Sequence, residues 1–327
     1  MLRILDYPWH QVHLYRMATA LPATFGVAAI REPYWNEAQR PIPDNVISVP
    51  QTQLGQSVDE GDWDVALLHL DQWCDRQTLR AWPYRFMKQS TQAIPQIVIM
   101  HGTPDFPENR AGVLRLIGTL PVVCNSRHAA MEWDGGEGRV DRYGLPQFRA
   151  VIHGYRVDEF RNYPFDQRRI EAFTICSGGT MSSEYHGLPL AERLMRDVPL
   201  AWYGPRGNRE WKNSYGEYLD MLASSLIYVS PTRRAPMPGA RTEAMLSGCC
   251  VVSVPGNDWE GYITNGLNGY VVDTYAEMRR LIRELLEHPV IAYNMGQAGR
   301  ARALATFGHE RFAADWLRVL AEIGVAA

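Results

Sequence analysis

The 327-residue chain carries a net charge of only -3, yet it gathers Arg233, Arg234 and Arg241 around a Pro238-Gly239 turn, with Glu243 just behind them. A guanidinium is a forked donor suited to phosphate oxygens. The Pro-Gly turn followed by Ala240, Arg241 and Thr242 reads as the first turn of a short helix. The free N–H groups and positive dipole end of such a turn favour an anion. A carboxylate at the position of Glu243 can accept hydrogen bonds from a ribose diol, so the set points to a nucleoside diphosphate. The plainer alternative is that Glu243 completes the helix start and the arginines are solvated. Local spacing alone does not choose between the two.

Other candidates stand at the ends of apolar runs. His101 closes "QIVIMHG" and Asn125 follows "PVVC". His10 lies just after the first apolar run, Asp105 follows "HGTP", and Tyr203-Gly204 close "PLAWYG". Asp6 and Asp105 sit near strand ends, but neither stands out as a catalytic base. His10 and His13 are three residues apart with no evident third ligand, so a metal site is not expected there. Trp9, Tyr34, Trp35, Trp73 and Trp82 are read as core or ordinary surface before stacking platforms.

The elements that must position these groups follow from periodicity. Hydrophobic residues make up 46% of the chain and charged residues 21%, as in an ordinary soluble protein. The five cysteines, with no CxxC, read as buried thiols in a reducing cytosol. Asp6 and His10 interrupt the start of the chain, so a signal peptide is not expected. No apolar run reaches about 18 residues, so no membrane span is expected. Short apolar runs alternate with helical patterns, which implies βαβ units and parallel sheets. In the first half, strands are expected over 2–7, 64–70, 96–102, 121–126 and 149–154, and helices over 12–21, 78–90 and 111–120. A polar stretch, 155–171, reads as a linker. The pattern then restarts, with strands over 172–178, 199–204, 226–230, 250–254 and 269–273. Helices are expected over 188–197, 215–225, 240–248 and 258–266, and in the tail. The domains expected are 1–160, 161–305 and a closing helix in 306–327 that crosses back to the first. Ligands of open parallel sheets bind beyond the carboxyl ends of the strands. The candidates lie there.

The segment "SPTRRAPMPGARTEAMLSGCCVVSVPGNDWEGYITNGLNGYVVD" resembles the donor-binding segment of the GT-B glycosyltransferases of the family 4 type. Glu243-Ala244-Met245 with Gly248, then Glu260 with Asn265-Gly266 and Asn268-Gly269, carry the likeness. "VVCNSRHA", "VIHGYRVDEF" and "YNMGQAGRARALATFGHERFAADW" are similar to further family segments. The resemblance implies two Rossmann-like domains facing a central cleft. It implies transfer of a sugar, a hexose first, from a UDP- or GDP-linked donor to a hydroxyl acceptor, with retention and without a metal or other cofactor. It implies that Glu243 holds the ribose, that amides near Gly239 to Arg241 hold the diphosphate, and that His101 faces the donor sugar. Tyr203 and Gly204 would lie near the nucleobase. The chain departs from the pattern at Ala235, where the family has its first Glu. It departs again at "CSGGTMSSEYHG", where only Gly178, Gly179 and His186 stand in for an Arg/Lys pair. Arg233, Arg234 or Arg241 would then carry the phosphate charge. Besides a weaker reading as a sugar-nucleotide epimerase of the same shape, two alternatives are kept. One is a glycosyltransferase acting on a modified DNA base, with Arg76, Arg80, Arg85, Lys88 and Arg110 as its basic stripe. The other is a non-catalytic protein of the same shape.

Overall fold

The computed structural model describes residues 1–30, 33–75, 78–104, 107–175, 187–204, 207–210, 212–256 and 261–326. The chain divides into two compact units, Met1–Tyr155 with His309–Ala327, and Arg156–Gly308.

The first unit is built on seven strands: β1 (Leu2–Asp6), β2 (Ala23–Ala29), β3 (Val46–Pro50), β4 (Val65–Leu70), β5 (Gln96–Met100), β6 (Val122–Cys124) and β7 (Phe148–Ala150). Their order is β3-β2-β1-β4-β5-β6-β7, and every pairing is parallel. The helices are α1 (Gln11–Ala20), α2 (Leu54–Asp59), α3 (Thr78–Ser90), α4 (Pro107–Ile117) and α5 (Arg127–Asp134). β4 and β5 are buried along their whole length, as strands covered on both faces must be. One face packs Leu5, Leu68, Met100 and Trp133; the other packs Ile4, Phe25, Leu67 and Ile99. Phe312, Trp316, Val319 and Leu320 of the last helix belong to that second core. Burying each such side chain contributes about 1.5–3 kcal/mol.

Sequence periodicity did not reveal β2, β3 or α2. The β2 sequence, ATFGVAA, is rich in small residues for a packing reason. A Cβ on Gly26 would lie 2.1 Å from the Trp63 ring, so the strand is kept bare where the indole crosses it. β3 ends on Pro50 at the sheet edge, where a missing donor costs nothing.

The second unit holds β8 (Arg169–Ile175), β9 (Leu200–Tyr203), β10 (Ser225–Ser230), β11 (Cys250–Ser253) and β12 (Tyr270–Val271), in the order β12-β11-β10-β8-β9. These strands too pair in parallel. The helices are α6 (Leu188–Asp197), α7 (Tyr215–Ser224), α8 (Gly239–Leu246), α9 (Tyr275–Glu287) and α10 (Pro289–Thr306). The last helix of the chain, in the first unit, is α11 (His309–Glu322). Among the described residues, no helix is long and apolar enough to cross a membrane.

Two expectations need correction. The stretch 155–171 is not a bare linker. It forms short 3-10 turns at Val157–Glu159 and Phe165–Gln167, and β8 already starts at Arg169. Arg168 is buried and donates to the carbonyls of Tyr163, Ser225 and Ser247, which ties the stretch into the second unit. The expected helix over 258–266 is absent from its described part, 261–266. Asn265 bonds both backbone groups of Val271, and Asn268 bonds Thr264 and Tyr262. Asparagine side chains that satisfy backbone groups in this way favour loops over helices.

Each sheet has one point where the strand order reverses, between β1 and β4 in the first unit and between β8 and β10 in the second. Ligands of doubly wound sheets bind outside the carboxyl ends at such points.

Candidate functional site

In the first unit the carboxyl ends of β1, β4 and β5 place Asp6, His69 and His101 side by side. His69 Nε2 lies 2.6 Å from Asp6 Oδ1, and His69 Nδ1 lies 2.8 Å from His101 Nε2. Asp6 and His69 are fully buried, and His101 is half-buried. The Tyr7 N–H also donates to Asp6 Oδ1, at 2.6 Å. The Tyr7 hydroxyl accepts from the His69 N–H and donates to the His69 carbonyl, which fixes that residue's backbone. The His101 N–H continues the β4–β5 ladder by donating to the Leu70 carbonyl.

Three more histidines surround the pair. His10 caps α1, accepting from the His13 N–H, and its ring stacks on His101 with centroids 5.2 Å apart. His13, one turn on, meets His69 and His101 edge-on, and Trp316 of α11 lies behind it. His153 shares a hydrogen bond with Arg16, whose guanidinium also covers Tyr155. Burial, then the neighbouring charges, holds His13, His101 and His153 well below the ordinary histidine pKa. His10 is drawn down to about 4, first by desolvation among the packed rings and then by Arg16. His10, His13, His101 and His153 are therefore neutral near pH 7. Among the described residues, no group of three His, Cys, Asp or Glu side chains converges as metal ligands do.

Asn125 is buried at the end of β6, and its side-chain oxygen has no partner among the described residues. Ser126 beside it caps α5 by accepting from the Ala129 N–H. Asp105 lies outside the described residues. Several members of the expected basic stripe are engaged within the unit. Arg80 pairs with Asp71, Lys88 donates to the Leu116 carbonyl, and Arg110 binds the Trp133 carbonyl and Glu137. Arg85 is exposed, and Arg76 lies outside the described residues.

In the second unit β10 leads into a loop, 231–238, and then into α8. Two glycines clasp that loop. Gly187 has φ +71°, and a Cβ there would lie 1.9 Å from the Pro231 carbonyl oxygen; one on Gly256 would lie 2.7 Å from the Arg233 carbonyl oxygen. No side chain caps α8 at Pro238. Gly239 and Ala240 are half-buried, and Arg233 and Arg234 are exposed. Arg241 is different: its side chain is fully buried and donates to Ser253 Oγ at the end of β11. Thr242 is buried, and its hydroxyl has no partner among the described residues. Glu243 is buried too and accepts a short hydrogen bond from the Tyr218 hydroxyl of α7. Tyr203 is buried at the end of β9 against Phe173, with the Lys212 ammonium over its ring. Gly204 follows it, and Asn208 folds the next turn back onto Trp202 and Leu200. Gly178, Gly179 and Glu260 lie outside the described residues.

The sequence offered Asp6 only as a strand-end carboxylate, and Tyr7, Arg16, His69, His153, Tyr218 and Ser253 were not foreseen as members of these clusters. The signal for His69 was present: a histidine inside the otherwise apolar run VALLHL requires a buried partner. Tyr218 and Ser253 carry no such signal.

Residues 188–318 match a family model described as glycosyl transferase-like. No curated protein sequence matches the chain. Among solved structures, the chain is similar to Alr3699/HepE from Anabaena in complex with UDP-glucose, with 13% identity over 98% of this chain and 100% of that one, and a TM-score of 0.70. It is similar to a sucrose-phosphate synthase from Thermosynechococcus elongatus, with 12% identity over 100% of both chains and a TM-score of 0.69. A glycosyltransferase from Rickettsia africae has 12% identity over 98% of each chain, with a TM-score of 0.69. At these identities the likeness establishes the fold. The chain has the α/β fold of the GT-B glycosyltransferases, with a glycosyl transferase-like segment over most of its second unit.

Proposed function

We propose that the protein transfers a glycosyl group, a hexose first, from a nucleoside-diphosphate sugar to a hydroxyl acceptor. The observation that carries this reading is the uncapped start of α8 at the β8/β10 switch point, inside the segment that matches the glycosyl transferase-like family. The two amides of Gly239 and Ala240 and the positive end of a helix dipole stabilise a diphosphate there. Arg233 and Arg234 are exposed beside it and supply forked donors. Arg241, buried behind the helix start, adds a fixed positive charge to the same end. Glu243 receives the ribose diol. A carboxylate has acceptor room beyond the Tyr218 hydrogen bond, and that bond holds its orientation. Charge that builds on the leaving diphosphate is met by preorganised amides and arginines, with no cation required. Alr3699/HepE, solved with UDP-glucose, makes a uridine donor the first to try.

The acceptor is a glycan, a lipid-linked saccharide or a small alcohol. Lys88, Arg80 and Arg110 are engaged internally, which weakens the modified-DNA reading; steep loss of activity with salt on a DNA substrate would restore it. The four described cysteines are buried and unpaired, which supports a reducing cytoplasm. Retention, which the family resemblance implies, has the leaving diphosphate take the acceptor's proton.

Thermal unfolding with millimolar UDP, GDP, UDP-glucose and GDP-glucose tests the reading. One nucleotide should raise the midpoint by several degrees, as binding to the folded state alone requires. No shift with any of them, together with no release of nucleotide from either sugar donor, overturns it.

A further inference from the structure

Helices α2, α3 and α4 lie side by side on one face of the first unit's sheet. Leu54 and Val58, Tyr84 and Met87, and Val113 and Ile117 all enter the same core. α3 is in the middle: it packs on α2, and its Tyr84 and Lys88 reach across to the Leu116 carbonyl of α4. Its outer surface is apolar where a solvated helix face is polar. Leu79 is 89% exposed and Trp82 is 44% exposed. Trp82 stacks on Phe86, one turn on, with ring centroids 5.4 Å apart. A lone exposed leucine means little, but an exposed tryptophan continued by a leucine and a phenylalanine makes a ridge of the kind that interfaces bury.

Charge is sorted on either side of this ridge. On the α2 side stand Asp59, Glu60 and Asp62, all exposed. Arg3, near Asp62, is already paired with Asp64. On the α4 side stand Arg85, Arg115 and Arg142, also exposed. Arg85 shares the flank of α3 that carries Lys88, three residues on. The Arg142 N–H donates to the Thr119 carbonyl just after α4, and its guanidinium faces Lys88. Among the described residues, none of these three arginines holds an ion pair. Asp59 closes α2 and Arg115 lies in the last turn of α4, so the two flanks stand toward the same end of the helical layer.

A face with an acid flank, an apolar ridge and a basic flank is complementary to itself in one symmetric arrangement. With a two-fold axis along α3 the two helices run parallel, ridge meets ridge, and each acid flank faces the basic flank of the other copy. With the axis across α3 the helices run antiparallel, α2 faces α2, and the flanks lose their opposites. We infer that α3 is the centre of an isologous interface between two copies of this chain, with the helices parallel. An anionic membrane is the poorer occupant, because it would repel Asp59, Glu60 and Asp62. The face is small. The 13 residues of α3 span about 20 Å, and three helices side by side span about 25 Å, which gives roughly 500 Å² per copy. Standard interfaces bury about 800 Å² per partner. The dimer is therefore a micromolar one that forms as concentration rises. It is independent of the transfer reaction proposed above, and neither inference needs the other.

Sedimentation velocity of the full chain between about 1 and 200 µM tests this, the range in which a micromolar dissociation constant is read. The mean mass should climb from one copy toward two. Trp82→Ser should raise the dissociation constant about tenfold or more, as loss of a central aromatic does. Asp59→Lys with Glu60→Lys makes both flanks basic, and Arg115→Glu with Arg142→Glu makes both acidic. All four side chains are exposed, so these variants leave the core intact. Each should stay monomeric alone, whereas an equimolar mixture of the two should associate at least as tightly as the wild type. A wild type that stays monomeric to about 200 µM, a dimer indifferent to the charge reversals, or a mixture that fails to associate overturns the proposal. So does a monomeric wild type that co-sediments with phosphatidylcholine–phosphatidylglycerol vesicles, since the ridge would then be a lipid surface.

Discussion

The two switch points of this molecule are built from opposite materials. In the first unit, buried aromatic nitrogens and one carboxylate are locked to one another by short hydrogen bonds, and burial holds His101 well below the ordinary histidine pKa. In the second, β10 and β11 end on serines, no side chain caps the helix start, and the cations are split between a buried Arg241 and exposed Arg233 and Arg234. The same topology thus ends in a closed hydrogen-bonded row in one unit and in a helix start with open amides in the other. The first depends on a rigid network because a tautomer is worth nothing unless its partners are fixed. The second depends on backbone amides, which any sequence supplies once the loop is held in place.

The largest expected difference is in acid. His13, His101 and His153 have folded pKa values depressed by burial. The unfolded chain therefore binds protons as pH falls through about 6.5 while the folded chain does not, and stability is lost on acidification. Each such histidine adds a slope of about 1.4 kcal/mol per pH unit over its window. Denaturant titrations at pH 7.5, 6 and 5 should show the midpoint falling steeply. A flat response would mean that the rings titrate normally.

Asp6→Ala comes next. It leaves His69 Nε2 buried without its partner and should cost about 3 kcal/mol of folding stability, read from the same denaturant curves. Gly187→Ala probes the other unit. The new Cβ meets the Pro231 carbonyl and the backbone needs positive φ, so a loss of about 2 kcal/mol is expected. UDP affinity should fall with it, since Pro231 opens the 231–238 loop that leads into α8. Unchanged affinity would detach this loop from the anion site.

Glu243→Gln should weaken UDP about tenfold, or 1.4 kcal/mol. 2′-Deoxy-UDP should lose most of the difference between wild type and variant. Tyr218→Phe, which removes the hydroxyl that donates to Glu243, should fall short of that, at about 1 kcal/mol. The smallest effect belongs to Arg233→Ala and Arg234→Ala. Stability should stay within about 0.5 kcal/mol, and UDP binding should drop a few-fold at low salt and less at high salt. Isothermal titration at two ionic strengths measures both.

The alternation of apolar runs and helical patterns was enough to give two parallel-sheet units, because strands buried on both faces must be apolar throughout. The helix after Pro238-Gly239 was legible too, expected from 240 and observed from Gly239, because a Pro-Gly turn followed by helix-forming residues marks a helix start. His101, Asn125 and His10 were legible as strand-end or helix-start groups. What the chain could not state was partnership. Asp6 and His69 are 63 residues apart in sequence, and only the adjacency of β1 and β4 makes them a pair. Arg241 looked like a phosphate ligand from its spacing, whereas tertiary packing turned its side chain inward onto Ser253. Helical periodicity fixes which residues share a face, but not whether that face meets water or the neighbouring strand. Residue type and local spacing determined where chemistry is available in this protein; long-range packing decided which of those groups point at one another, and hence which chemistry it is.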